Sequence, residues 1–202
     1  MPRLKSQLTF LVEIDKLKNV VRRSLLTDGS RRENSAEHSW HLAVFAILLQ
    51  EYAPAQLDIK RVLKMLLIHD VVEVDAGDTF AYDIGNLATQ HEREQRAADR
   101  LFGLLPADQQ RELRGLWEEF EQQSTTESKF ANALDRLQPL LQNFHSGGQS
   151  WRDHSVTPEQ VFERMRPIER GAPELWPLVL EIIHNASQRG LLKPSATPTL
   201  VR

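Results

Sequence analysis

The sequence predicts an all-α fold. Three observations carry that reading. Apolar residues recur every three or four positions in segment after segment, which is the spacing of one helix face. Residues that start and stop helices bracket those segments. No stretch alternates apolar and polar residues over a length useful for a strand.

Phe10, Ile14, Leu17 and Val21 fall at helical steps and predict a first amphipathic helix, closed by the breaker Asp28-Gly29-Ser30. Asn34 precedes Glu37 by the spacing of a capping box, so a second helix should start there and run to about Tyr52, before Pro54. Asp58 is placed to cap a third helix, with Val62, Met65, Leu66 and His69 on or near one face. That helix should end near Glu73, because Gly77-Asp78-Thr79 reads as a loop. A polar helix is expected from about Asn86 to Leu105, stopped by Pro106. The next carries Leu113, Leu116, Trp117 and Phe120, an apolar stripe that reads as core packing. Phe130, Leu134, Leu137 and Leu141 define a helix from about Thr126 to Phe144 that Gly147-Gly148 ends; Pro139 inside it should kink or split it. Thr157-Pro158-Glu159 opens a short helix with proline in its first turn. The last helix runs from about Pro173 to Arg189 and meets Gly190, a C-terminal cap. No internal repeat or linker divides the chain, so about seven to nine helices should form a single domain. That domain is expected over 1–190, with a mobile tail over 191–202 that holds Pro194 and Pro198.

A chain of 202 residues suits one domain with a sizeable core. Its net charge of -3 leaves no global basic field, so a nucleic-acid polymer is not an expected partner. Cysteine is absent, which excludes disulfides and thiolate metal sites and leaves imidazole and carboxylate as the strong ligands. Met1-Pro2-Arg3-Leu4-Lys5 lacks a signal-peptide core, and no apolar run reaches the ~18 residues of a membrane span. A soluble, cytoplasmic protein without a membrane partner is the expectation.

His69-Asp70 stands out within the apolar run Met65-Leu66-Leu67-Ile68-His69-Asp70-Val71-Val72. An unpaired carboxylate in such surroundings is costly, and a divalent cation would satisfy both groups at once. A hydrolytic metal centre needs imidazoles and carboxylates from separate helices converging on one point, with positions left open for water and substrate. His38 lies on the second expected helix, His69 and Asp70 on the third, and Asp135 in a later apolar helix. Each alone reads as an ordinary residue, a lone histidine beside apolar residues being usually a satisfied core histidine, and Asp135 could pair with Arg136 or Lys129. Their joint occurrence is the signal. His41 shares a helical face with His38 and is either an alternative ligand or a hydrogen-bond partner within the centre. Trp40 reads as core. His91, His145, His154 and His184 lie in segments without further candidate ligands and read as ordinary.

Three stretches together carry a resemblance: Arg32-Glu33-Asn34-Ser35-Ala36-Glu37-His38-Ser39-Trp40, Ile68-His69-Asp70-Val71-Val72-Glu73-Val74-Asp75-Ala76-Gly77-Asp78-Thr79, and Phe130-Ala131-Asn132-Ala133-Leu134-Asp135-Arg136-Leu137-Gln138-Pro139. The chain resembles the HD-domain metal-dependent phosphohydrolases over roughly residues 10 to 187. Within them it is similar to the YfbR-like branch, which contains the 5′-deoxynucleotidases. The resemblance implies a single HD-domain helical bundle and one divalent metal ion (Co, Mn, Mg, Ni, Fe or Zn) held by His38, His69, Asp70 and Asp135. It also implies catalytic roles for Glu73 and Asp78 beside the substrate phosphate, and substrate binding by Arg22, Arg32 and Thr79. The substrate would be a small phosphate monoester, a (deoxy)nucleoside 5′-monophosphate, and the enzyme a homodimer. One departure is visible. The family tends to place an aromatic residue after the arginine, whereas this chain reads Arg22-Arg23-Ser24-Leu25, so no aromatic platform for sugar or base is implied there.

A phosphate monoester carries about two negative charges near neutral pH, which paired hydrogen bonds from arginine would offset. Arg22, Arg31 and Arg32 are the candidates, with Arg23 facing elsewhere. Glu73 sits one turn beyond the ligand pair, placed to position or deprotonate water or to protonate the leaving alkoxide. Asp78, on the loop after Gly77, would share that role or bind a substrate hydroxyl. Glu127 and Lys129 read either as pocket-mouth residues or as helix-surface charges. Two other functions use the same ligands: phosphodiester or nucleoside triphosphate hydrolysis, and a metal-stabilised nucleotide-binding module without turnover. The Gly-Tyr-Pro motif of one diesterase type is absent. Glu73 and Asp78 argue against a pure binder, which has no need of acidic groups beside an anion.

Overall fold

The computed structural model describes residues 1–54, 56–78 and 84–194. Helix α1 (Pro2–Ile14) runs into a 3₁₀ turn over Asp15–Asn19. A small antiparallel sheet follows, in which β1 (Val21–Leu25) pairs with β2 (Arg32–Asn34), Val21 opposite Asn34 and Leu25 opposite Arg32. This hairpin replaces the helix expected through Val21. Val21 keeps a helical step from Leu17, but the backbone extends at Val20 (φ -81°, ψ 106°), whose carbonyl accepts the Ser35 N–H at 3.0 Å. The expected breaker is the hairpin turn: Asp28 Oδ1 accepts the Ser30 N–H at 2.9 Å, and the Leu26 N–H reaches the Arg31 carbonyl at 2.9 Å.

Helix α2 (Ser35–Leu49) starts with the expected capping box: Asn34 Oδ1 accepts the Glu37 N–H at 2.9 Å and Glu37 Oε2 accepts the Asn34 N–H at 3.2 Å. A 3₁₀ turn carries it on to Tyr52. Asp58 caps α3 (Ile59–Ile68) through the Lys60 and Arg61 N–H groups. α3 stops short of the expected Glu73. The chain tightens into a 3₁₀ turn over His69–Val72 and resumes as the single-turn α4 (Glu73–Ala76). Gly77 ends it at φ +74°, ψ 154°, a conformation that essentially only glycine adopts.

The remaining helices are α5 (Ile84–Phe102), α6 (Ala107–Gln122), α7 (Thr126–His145), α8 (Gln149–Asp153), α9 (Pro158–Gly171) and α10 (Trp176–Gln188), the last preceded by a 3₁₀ turn over Pro173–Leu175. α8 is too short to leave a periodic signal. α7 runs through Pro139 as one element, so the expected split does not occur. The proline removes only the N–H that would have reached the Asp135 carbonyl, while burial on several faces holds the rod together. Among the described residues the fold is the expected all-α bundle with one small hairpin.

Two apolar clusters fill the interior. The larger joins α2, α3, α6, α7, α9 and α10 around Leu42, Met65, Phe130, Leu134 and Ile168, all at 0% exposure. The smaller packs α1, α4 and α5 against Leu17, Val71, Val72 and Trp117. His69 and Asp70 sit at the seam between Leu66 of the first cluster and Val71 of the second. Leu191 and Leu192 close the larger core, and the Lys193 N–H bonds the Val156 carbonyl at 2.8 Å. The expected tail at 191–202 therefore loses its first residues to the core; 195–202 lie outside the described residues.

α7 and α9 touch through Gly171. A Cβ there would lie 2.1 Å from the Lys129 carbonyl oxygen and 3.0 Å from Ala133 Cβ. Backbone cannot yield to that clash without parting the helices. Gly171→Ala is expected to cost about 2 kcal/mol or more, in the range of overpacked cores, and to lower the melting temperature. An unchanged melting temperature would refute the close-approach argument.

Candidate metal centre

Three elements bring four ligand-type side chains to one point. His38 comes from the first turns of α2, His69 and Asp70 from the 3₁₀ turn after α3, and Asp135 from the middle of α7. His38 Nε2 lies 2.9 Å from Asp135 Oδ1 and 3.9 Å from Asp70 Oδ2. His69 Nε2 lies 3.0 Å from Asp70 Oδ1 and 3.6 Å from Asp135 Oδ1. All four residues are buried.

The far side of each imidazole decides what the near side offers. His69 Nδ1 donates to the Leu66 carbonyl at 2.9 Å, so Nε2 presents a lone pair to the cluster. It makes no hydrogen bond although it is fully buried. His38 Nδ1 meets Gln138 Oε1 at 3.0 Å. The Gln138 amide is oriented by its other end, where Nε2 donates to Glu33 Oε1 at 2.7 Å and faces His41 Nδ1 at 3.3 Å. Oε1 must then accept from His38 Nδ1–H, which leaves His38 Nε2 as a second lone pair. Two imidazole lone pairs and two carboxylates facing one another repel unless a cation lies among them, and His38, His69 and Asp135 form a group able to hold a metal ion. The donor set fits a divalent ion.

Without metal, a proton takes that place. Burial disfavours the His69 imidazolium, but Asp70 and Asp135 outweigh it and raise its pKa to about 9. Burial likewise acts against the Asp135 carboxylate, yet Arg136 and the two imidazoles hold its pKa well below the usual range. The sign for stability follows. A histidine at about 9 in the fold and ~6.5 unfolded stabilises the metal-free protein fully below ~6.5 and loses that contribution as pH rises through about 9. Chelator-treated protein should therefore melt at progressively lower temperature between those limits, and Mn²⁺ should flatten the dependence. A flat metal-free profile would contradict it.

Above the ligands lies a polar cavity of about 230 Å³, lined among others by Arg22, Glu73, Asp78, Glu94, Glu121 and Arg136. Arg22 reaches in from β1. Its Nη1 donates to Asp70 Oδ2 at 2.8 Å and lies 3.9 Å from Asp78 Oδ1. Burial opposes the guanidinium charge, but Asp70, Glu73, Asp78 and Asp135 raise its pKa further, so it stays charged. Glu73 is buried and accepts the Ser35 hydroxyl at 2.6 Å. Burial and then Asp70 push its pKa well above the usual carboxylate value. Burial also raises Asp78, against the pull of Arg22. Both acids are thus biased toward the neutral form that a phosphate neighbour tolerates.

Arg136 was visible only as an ion-pair partner, and that it is: Nη1 donates to Asp135 Oδ2 at 2.7 Å while the side chain lines the cavity. Glu33, Gln138 and Ser35 stood inside the quoted motifs without an assigned task, because nothing local in a sequence shows which buried polar groups meet across the fold. Glu94 and Glu121 line the cavity from α5 and α6, a placement that helix periodicity does not reveal. His41 is outside the ligand cluster and packs edge-on against Phe45. Trp40 is 65% exposed rather than core. Arg32 is exposed on the strand face opposite buried Glu33 and lines neither cavity described here. Arg31 is engaged by Glu37 through two bonds. Glu127 accepts the Asp58 N–H at 3.2 Å, and Lys129 is exposed. Thr79 lies outside the described residues. Arg23 reaches an adjoining cavity of about 90 Å³, whose lining includes Trp151 from α8, so an aromatic ring near the site comes from another element.

The model of the HD domain matches residues 14–176. The chain belongs to the HD-domain family. A crystal structure of a "predicted metal-dependent phosphohydrolase" from Magnetospirillum magnetotacticum MS-1 is 53% identical and superposes with a TM-score of 0.91, covering 95% of this chain and 96% of that one. The human "5'-deoxynucleotidase HDDC2" is 34% identical over 139 residues, which are 68% of this HD-domain chain and 67% of the human one. A conserved hypothetical protein of Pyrococcus furiosus shares the HD-domain chain's fold at a TM-score of 0.59 and 22% identity, covering 86% of this chain and 99% of that one.

Proposed function

We propose that this HD-domain phosphohydrolase releases phosphate from deoxynucleoside 5′-monophosphates. One observation carries the reading: a cation-seeking cluster of two imidazoles and Asp135, with His69 and Asp135 in the cavity wall, adjoins a charged arginine and two protonation-biased acids. The deoxynucleotidase relatives support the substrate class. His38, His69, Asp70 and Asp135 would hold one divalent ion, which when bound polarises a phosphoryl oxygen and lowers the pKa of water. Arg22 and Arg136 bind the remaining phosphoryl oxygens and orient the ester. Glu73, held by Ser35, carries or accepts the proton at the reacting oxygen. Asp78, 3.9 Å from Arg22 Nη1 and in the same cavity wall as Glu73, shares that task or takes a sugar hydroxyl. The Trp151-lined cavity receives the part of the substrate beyond the phosphate.

The reading includes a cytoplasmic homodimer. The outward face of α2 supports the dimer, with Trp40 at 65%, Ile47 at 53% and Leu48 at 65% exposure. A monomeric mass at micromolar concentration would overturn it. No helix among the described residues is long and apolar enough to cross a membrane.

The deciding assay measures phosphate release from all common ribo- and deoxynucleoside monophosphates and simple sugar phosphates, with Co²⁺, Mn²⁺, Mg²⁺ or chelator. Metal-dependent release confined to deoxynucleotides is expected. Release only from other monoesters would reject the nucleotidase assignment, and triphosphate or ring-opened cyclic nucleotide as product would reject monoester hydrolysis.

A further inference from the structure

Glu33 is 2% exposed, and a buried carboxylate is costly unless its surroundings need the charge. Its two oxygens face different groups. Oε1 accepts two amide N–H bonds at 2.7 Å, from Gln138 and Gln142 of α7. Oε2 accepts none, yet it lies 3.5 Å from His38 Nδ1 and 3.7 Å from Arg22 Nε. Arg22 Nε is itself a buried N–H without a partner. The carboxylate therefore stands between a metal-facing imidazole and the guanidinium that reaches the substrate cavity.

We infer that Glu33 is a positioning residue that couples the metal centre to the phosphate-binding arginine. It acts on the metal side through Gln138, whose amide it orients so that His38 keeps its proton on Nδ1 and its lone pair on Nε2. On the substrate side it acts directly, as the counter-charge behind Arg22. Strand geometry makes both possible. Arg22 and Glu33 lie on the paired strands of one hairpin, so a single buried anion serves two elements that the helices alone would not connect. This inference rests on the proposed metal and phosphate roles of the site.

Glu33→Gln tests it at nearly constant volume. The new amide oxygen can still accept from Gln138 and Gln142. Its NH₂ would then face Arg22 Nε–H and His38 Nδ1–H, donor against donor. Calorimetry of Mn²⁺ binding to chelator-stripped protein should show about 10- to 100-fold weaker affinity, the range for partners of metal-bound histidines. At saturating Mn²⁺, inorganic phosphate should bind about tenfold more weakly, since the buried counter-charge 3.7 Å behind Arg22 Nε is lost. Gln138→Leu separates the two arms. It should weaken Mn²⁺ but leave phosphate affinity within about twofold of wild type, and adding Glu33→Gln to it should weaken Mn²⁺ little further. A loss of structure alone moves both affinities together and does not give this split. If Glu33→Gln does not fold, Gln138→Leu still carries the test. Mn²⁺ and phosphate affinities within twofold of wild type in Glu33→Gln, or additive Mn²⁺ losses in the double variant, would overturn the inference while leaving the metal centre standing. A wild-type protein that binds no Mn²⁺ would overturn the centre and the inference together.

Discussion

Asp135→Asn is expected to reduce phosphate release by on the order of 10³-fold or more, the scale at which loss of one preorganised charge in an active site registers. The residue is the hub of the centre. One of its oxygens faces both imidazole Nε2 atoms and the other accepts from Arg136. The neutral amide removes the charge that offsets Arg136 and places a possible donor against two lone-pair nitrogens. Mn²⁺ affinity should fall with activity. The fold should survive, because the change preserves volume in a helix buried on several faces. Circular dichroism and melting separate these outcomes. A folded variant that retains a tenth of wild-type turnover would remove Asp135 from the centre.

Glu73→Gln should behave differently. Expected is a fall of about 10²- to 10⁴-fold in kcat, the usual contribution of a positioned proton carrier, with KM changed by no more than a few fold. The amide can still accept the Ser35 hydroxyl, so packing at the end of the 3₁₀ turn is kept. Mn²⁺ affinity should hold, since Glu73 is not among the residues facing the imidazole lone pairs. The pH dependence of kcat provides a second readout. Glu73 has a raised pKa caused first by burial, and the limb it contributes in the wild type should vanish in the amide variant. Equal losses of Mn²⁺ affinity and kcat would make Glu73 structural.

Much of this was legible in the sequence, for identifiable reasons. The helices carried strong periodicity, and Asn34, Asp58 and Gly190 stand at real ends because caps act within a few residues of themselves. The ligand-type residues stood out because an imidazole and carboxylate in apolar sequence need a partner. The hairpin was hidden: its strands are five and three residues long, and Val21 falls in phase with the preceding helix. Arg32 looked equivalent to Arg22 as a charge near the first histidine, but alternation along β2 turns it outward while Glu33 turns in. The Glu33–Gln138–His38 chain joins residues 105 and 100 positions apart in sequence, and such meetings follow from packing, which no local pattern encodes.

The hairpin has a kinetic consequence. Two strands alone are marginally stable in water, so this unit holds its shape by leaning on α7 and α8. The helical bundle that carries the histidines and Asp135 does not depend on it in the same way. Transient detachment of residues 21–33 would withdraw Arg22 and Glu33 together while Asn34 kept its cap on α2. Amide exchange would then occur in two tiers, a faster one in the hairpin and a slower one in α7, and catalytic competence would follow the faster tier. Ligands that bridge metal and arginine would slow exchange in the hairpin most, so the enzyme would lock its smallest element only when the site is filled.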